Sequence, residues 1–326
     1  MNNRIKRAVS LLCLLAALLS CLTFAGFAAE VEETTSSYAV SAEQPERKEY
    51  AVDTGSAVYA SCREVADTIA ARQILVYDAT DDEILYSQSV EGGKLYPAST
   101  TKLFSAYVAL QYLAPDTVIT AGDELDLLQA GSSIAYIAKD HQLTAEMLVE
   151  GMLLPSGNDA ALVLAAGAGK TIAGDDGISG VEAVRVFVAE MNRMAEELGF
   201  EKSHFTNPHG FHSGAHYTCV NDMARIAKLA LENSVIRKYM GVYEEDVIYA
   251  SGHSNHWINT NSLLNPESEF YFPGTLGMKT GHTSQAGYCL MSAFQRNGHT
   301  IVIGVFGYTD ANARFRDVIS LLNACK

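Results

Sequence analysis

Three short runs carry side chains able to do covalent chemistry. In Tyr96-Pro97-Ala98-Ser99-Thr100-Thr101-Lys102, Ser99 and Lys102 are three residues apart and therefore share one face of the helix that follows. Burial of an ammonium group lowers its pKa, and a lysine so loosened beside a serine hydroxyl is a nucleophile with its base. The plainer reading is a solvated lysine at a helix start. Ser156-Gly157-Asn158 follows Pro155 and supplies a hydroxyl and a carboxamide, although the same residues also suit an ordinary turn. Lys279-Thr280-Gly281-His282-Thr283 places a second lysine at a strand end, where lysine also serves simply to discourage edge pairing. Ser99 is the only serine followed three residues on by lysine, Ser156 the only one followed two residues on by Asn, and Lys279 the only lysine that opens Lys-Thr-Gly.

The elements that must position these groups can be read from periodicity. Pro97 suits the first turn of a helix, and Leu103, Phe104, Tyr107, Val108 and Leu110 cover most of its circumference. The spacing predicts a buried helix of about four turns, ending before Ala114-Pro115. A short helix is expected over Glu64–Ala70, then a hairpin of Ile74–Tyr77 with Ile84–Tyr86. Leu143–Leu154, Asp159–Ala168, Val181–Leu198 and Asp222–Leu231 read as helices. Met278–Thr280, Gly287–Phe294 and Ile301–Phe306 read as strands, the last two joined over Arg296-Asn297-Gly298, and Ala313–Leu322 closes as a helix. Strands at both ends with helices between imply one sheet built from the two ends of the fold and a helical lobe inserted in the middle.

The chain has 326 residues and a formal net charge of −15, with no internal repeat or low-complexity block. Arg4, Lys6 and Arg7 precede an apolar run from Ala8 to about Ala29 that ends in small residues, the pattern of a secretory signal. That run is also long enough to serve as an uncleaved membrane anchor, and Leu18-Leu19-Ser20-Cys21 loosely resembles a lipoprotein acylation site. Each reading places the remainder outside the cytoplasm. Without the three basic residues the net charge falls to −18, which makes the protein a poor candidate for binding nucleic acid or anionic lipid and makes any internal cationic cluster conspicuous. Residues 30–60 read as a flexible acidic linker and residues 61–326 as the catalytic domain. Cys62, Cys219, Cys289 and Cys325 have no metal-type spacing. Cys62 and Cys325 lie near the two ends of the folded part and are the pair expected to form a disulfide if one forms; otherwise all four are small buried apolar side chains.

The three motifs resemble those of the serine-type D-alanyl-D-alanine carboxypeptidases, the low-molecular-weight penicillin-binding proteins, in order and approximate separation. The resemblance extends to Leu154-Pro155 before Ser156, to Asn207-Pro208-His209-Gly210, to Thr218–Asp222, to Asn259–Leu264 and to Gly277–Gly287, so it covers about Ile74 to the C-terminus. It implies an α/β (α+β) fold of the DD-peptidase/β-lactamase type: a mostly antiparallel sheet with flanking helices, and the site between sheet and helical lobe. It implies that Ser99 attacks a peptide carbonyl, that Lys102 takes its proton, and that Ser156 and Lys102 protonate the leaving D-alanine. Asn158 would orient the substrate and Lys279 supply positive potential. With Thr280 and Gly281 completing the strand motif, the backbone N–H groups of Ser99 and His282 would form the oxyanion hole, and Thr283 with Arg314 would hold the substrate carboxylate. The implied partners are the peptidoglycan stem peptide and, as covalent inhibitors, β-lactams, with no cofactor and no metal.

Many such enzymes carry a second, β-rich domain and a C-terminal amphipathic helix. The sequence stops at Lys326, so neither is expected and membrane attachment would rest on the N-terminal run. A class A β-lactamase would share the three motifs but needs a Glu-x-x-x-Asn loop, whereas Glu190-Met191-Asn192 and Glu196-Glu197-Leu198 fall on an amphipathic helix. A metallopeptidase is a second rival reading, since His204, His209, His212 and His216 cluster in sequence, but there is no His-Glu-x-x-His. A non-catalytic wall-peptide or β-lactam binder is the third.

Overall fold

The computed structural model describes residues 50–325. The signal or anchor and most of the expected linker lie outside the described residues. Helix α1 (Ala57–Ala66) begins earlier than periodicity suggests, because the Ser56 side chain accepts from the Tyr59 N–H and caps it. Structure therefore starts inside the segment read as linker, and Tyr50 also packs edge-on against Tyr77.

Strands β1 (Gln73–Asp78) and β2 (Glu83–Gln88) form the first hairpin. The final third supplies β7 (Thr275–Thr283), β8 (Gly287–Arg296) and β9 (His299–Tyr308), with β8 and β9 joined through Asn297-Gly298 as expected. The order is β2-β1-β9-β8-β7 and every pairing is antiparallel. Gln73 stands opposite Phe306, so the two ends of the fold meet at the centre of the sheet. All six residues of β1 are buried, because both faces of the sheet are covered. Ile74, Val76, Ile303 and Val305 face Cys62 of α1 and Phe315, Val318 and Leu322 of helix α8 (Ala313–Ala324). Leu75, Tyr77, Met291 and Val302 face the helical lobe.

The lobe comprises α2 (Thr101–Ala109), α3 (Ala145–Leu153), α4 (Asn158–Ala173), α5 (Gly180–Glu197), α6 (Val220–Glu232) and α7 (Ser234–Met240). Helix α2 is shorter than the expected four turns. Its end tightens through bonds from the N–H groups of Gln111 and Tyr112 to the carbonyls of Val108 and Ala109. Helix α3 begins two residues later than expected: Leu143 lies in β4 (Gln142–Thr144), which pairs with β3 (Val118–Thr120), while the Thr144 hydroxyl caps the helix through the Met147 N–H. A second hairpin, β5 (Glu244–Ile248) with β6 (Ser254–Ile258), lies outside the main sheet. Periodicity does not reveal it, since only Val247 and Trp257 in these strands are buried. Among the described residues no helix is long and apolar enough to cross a membrane.

Cys62 and Cys325 do come together, with their Sγ atoms 3.8 Å apart. Both are free thiols, so the expected disulfide is not formed in this structure; the sulfurs make a thiol–thiol contact.

Candidate active site

Ser99 sits in a 3₁₀ turn (Ala98–Thr100) that feeds directly into α2. The residue before it, Ala98, has φ +49°, a conformation disfavoured for a side chain with a Cβ and typical of functional turns. Neighbouring bonds hold it there. The Thr101 hydroxyl donates to the Ala98 carbonyl at 2.8 Å and lies 2.9 Å from His216 Nε2. Gly210, at φ +85°, backs onto the same carbonyl so closely that a Cβ there would lie 1.8 Å from its oxygen. The tight turn offsets Ser99 from the helix barrel yet keeps it one turn from Lys102.

Lys102 is fully buried, and its Nζ lies 2.9 Å from Ser99 Oγ, 2.7 Å from Asn158 Oδ1 and 2.9 Å from the His209 carbonyl oxygen. Burial, then the nearby charge of Lys279, hold its pKa well below the ordinary lysine value, with Asp159 opposing them. Among the described residues no carboxylate pairs with its amine directly, and the oxygens within hydrogen-bond distance of it are all uncharged. Asn158 opens α4 immediately after the turn that carries Ser156, which is itself buried at φ +64°. Among the described contacts the Ser156 hydroxyl bonds to neither lysine.

Lys279 projects from β7, the edge strand beside the nucleophile turn, and is also buried. Its Nζ donates to the Thr280 carbonyl at 3.2 Å, while the Thr280 hydroxyl lies 2.5 Å from that of Thr260. Burial and the charge of Arg314 lower its pKa to about 7. Further along β7, Gly281 passes against the Pro97–Ser99 backbone, and His282 stacks on Tyr288 with ring centroids 4.1 Å apart. Thr283 Oγ1 accepts from the Ala286 N–H.

Arg314 is buried as well. It rises from the start of α8 behind β7 and donates to the carbonyls of Gly281 and Cys289, its Nε buried without a partner. In this structure it braces the strand and, like Lys102, Ser156, Lys279, Thr280 and Gly281, it is not among the residues that line the cavity. That cavity, of about 300 Å³, is lined by Ser99, Ser132, Asn158, Phe211, His282 and Thr283 among others. A larger one, of about 400 Å³, opens beside Tyr50 and the β1–β2 turn, but it gathers Asp53, Asp81, Asp82 and Glu83 around no nucleophile–base pair.

Residue types alone did not reveal three contributors. His209 acts through its backbone carbonyl, which no side chain advertises. His216 supports the nucleophile turn through Thr101, and Ser132 meets Asn158 from a loop with no motif of its own. Glu190 and two of the four histidines named for the rival chemistries are already engaged. The Glu190 carboxylate accepts from Arg193 at 2.6 and 2.7 Å and from the Tyr112 hydroxyl. His216 Nδ1 accepts from the Thr206 N–H and His209 Nδ1 from the Phe211 N–H, which leaves neither of those two nitrogens for a metal.

A half-buried serine beside a buried lysine at a helix start, opened to a cleft between an antiparallel sheet and a helical lobe, is the arrangement of the penicillin-recognising serine enzymes. The family model for D-alanyl-D-alanine carboxypeptidase matches residues 60–310, and the chain belongs to that family. It is 29% identical over 260 residues to the D-alanyl-D-alanine carboxypeptidase DacF of Bacillus subtilis (strain 168), covering 78% of this chain and 61% of that relative. It is 32% identical over 234 residues to a D-alanyl-D-alanine carboxypeptidase of Streptomyces sp. (strain K15), covering 69% and 77% of the two. The crystal structure of the Streptomyces K15 DD-transpeptidase superposes with a TM-score of 0.70 at 29% identity, over 79% of this chain and 97% of that one. The chain thus spans about three fifths of the length of the Bacillus relative.

Proposed function

We propose that this protein is a serine D-alanyl-D-alanine carboxypeptidase that removes the terminal D-alanine from peptidoglycan stem pentapeptides through an acyl-enzyme on Ser99, and that β-lactams acylate the same hydroxyl. The observation that carries the reading is the disposition of the Lys102 amine. A neutral amine has two N–H bonds and one lone pair. The Asn158 and His209 oxygens take the two N–H bonds, which leaves the lone pair for the Ser99 hydroxyl 2.9 Å away. Burial and Lys279 both favour the neutral form.

On this reading Ser99 Oγ attacks the penultimate D-alanine carbonyl as its proton passes to Lys102 Nζ. The oxyanion is received by the N–H groups of Ser99 and His282, an effect typically worth about 3–4 kcal/mol per donor. Collapse expels D-alanine, which takes the proton from Lys102 with Ser156 as relay, and water then releases the shortened peptide. The substrate carboxylate meets Lys279 and Thr283; its negative charge favours the ammonium form of Lys279. Arg314 contributes positive potential through the strand it braces. The substrate places the enzyme outside the cytoplasm, secreted or held at the outer face of the membrane.

Release of free D-alanine from a pentapeptide ending in D-Ala-D-Ala tests the proposal. Ser99→Ala and Lys102→Ala are each expected to lower that release by at least roughly 10³-fold. Substantial turnover by either variant would overturn the mechanism.

A further inference from the structure

The loop that closes one side of the cavity, residues 130–137, contains no recognised motif, yet it is bonded to the same two residues that open α4. The Asn158 N–H donates to the Ser133 carbonyl at 2.8 Å. The Asp159 carboxylate accepts from the Ala135 N–H at 2.8 and 3.0 Å and from the Ile137 N–H at 2.9 Å. From the far side, the indole N–H of Trp257 and the carboxamide of Asn255 both donate to the Ala135 carbonyl at 3.0 Å. A loop so fastened delivers one side chain to the catalytic cluster: Asn158 Nδ2 donates to Ser132 Oγ at 3.0 Å, within the cavity that holds Ser99.

We propose that Ser132 is a positioning residue for acylation, tethering the outer end of the Asn158 carboxamide so that its inner oxygen stays on Lys102. The constraint is torsional and rests on the Ser99–Lys102 reading above. The terminal torsion of an asparagine is broad and offers little resistance to rotation. A carboxamide held only by Oδ1 swings about that contact; one held at both ends is fixed in plane. The position of Oδ1 determines which way the Lys102 lone pair points, because Oδ1 and the His209 carbonyl together claim both N–H bonds. Loosening Asn158 spreads the lone pair over directions that miss the Ser99 hydroxyl, and reaction geometry is sensitive on the ångström scale. Ser132 touches neither the Ser99 oxygen nor Lys102 among the described contacts, so its influence passes through Asn158.

Time-resolved acylation by a fluorescent penicillin, resolved into a binding constant and a maximal acylation rate, tests this. Ser132→Ala is expected to lower the maximal rate roughly 10- to 100-fold while leaving the binding constant within about twofold. Ser132→Thr, which keeps the hydroxyl, should restore most of the rate. Thermal unfolding of both variants verifies the fold. Wild-type acylation by Ser132→Ala, a loss confined to binding, or no rescue by threonine in a folded protein would overturn the inference. Ser99→Ala measured alongside separates the two levels. If it still becomes labelled, the catalytic reading itself fails; if it is silent while Ser132→Ala reacts at full rate, only the role of Ser132 fails.

Discussion

On the proposed mechanism the two lysines buried in the candidate site divide the labour of base and counter-ion, and their surroundings suit each to its task. Lys102 is driven toward its neutral form by burial and by Lys279, with only neutral oxygens to accept from it. Lys279 is lowered to about 7 by burial and by Arg314, so it is charged below that pH and neutral above it. An anionic substrate binds the charged form better and raises this pKa on binding. KM for a D-Ala-D-Ala peptide is therefore expected to stay level below about pH 7 and to climb as the pH rises beyond it, and Lys279→Arg should flatten that climb because its guanidinium does not titrate there. A KM independent of pH across this range would remove Lys279 from carboxylate recognition. The serine, both lysines and Asn158 were legible in the sequence because side-chain type and spacing carry their chemistry. The His209 carbonyl was not, since any residue there would offer the same group. Arg314 was legible as a cation but not as a strand brace, because its direction is decided by α8 lying behind β7.

At the level of elements, the tight turn before α2 depends on residues far along the chain. Ala98 is held at φ +49°, a strain of about 1–3 kcal/mol, by Thr101, His216 and the close approach of Gly210. Gly210→Ala would place a methyl group against the Ala98 carbonyl in a backbone conformation that alanine resists. It is expected to slow acylation by more than roughly 10-fold and to lower Tm, both read on the purified variant; an unaltered acylation rate would show that the turn tolerates displacement. Periodicity found the longer helices and the three C-terminal strands because they bury whole faces, and it missed the seven-residue α7. It missed β3 and β4, which are three residues each, and the β5–β6 hairpin, whose exposed strands carry almost no apolar alternation. It also overextended α2, whose end is set by local 3₁₀ bonding while the apolar residues run on.

In the molecule as a whole, the sheet is shared between the two ends of the sequence. Helices α1 and α8 lie together on its outer face, which brings Cys62 and Cys325 to 3.8 Å. Contact with Cys325 lowers the Cys62 thiol pKa and so favours the attacking thiolate. Exposure to a disulfide oxidant such as oxidised glutathione is expected to close the pair, the two thiols losing two electrons and two protons as the oxidant is reduced to thiols. The closed form should melt on the order of 5–10 °C higher, and Cys62→Ser should abolish the shift; thiol titration together with thermal unfolding checks both. The shared sheet also orders events in time. With Gln73 opposite Phe306, strand β1 waits beside an empty lane until nearly the whole chain has been made. The lobe, whose helices draw mostly on nearby sequence, can gather first, and the sheet must close last around it. A nascent or truncated chain lacking β9 would expose the flank of β1 as a template for unrelated strands. Such a chain would call on chaperones more than its finished stability would suggest.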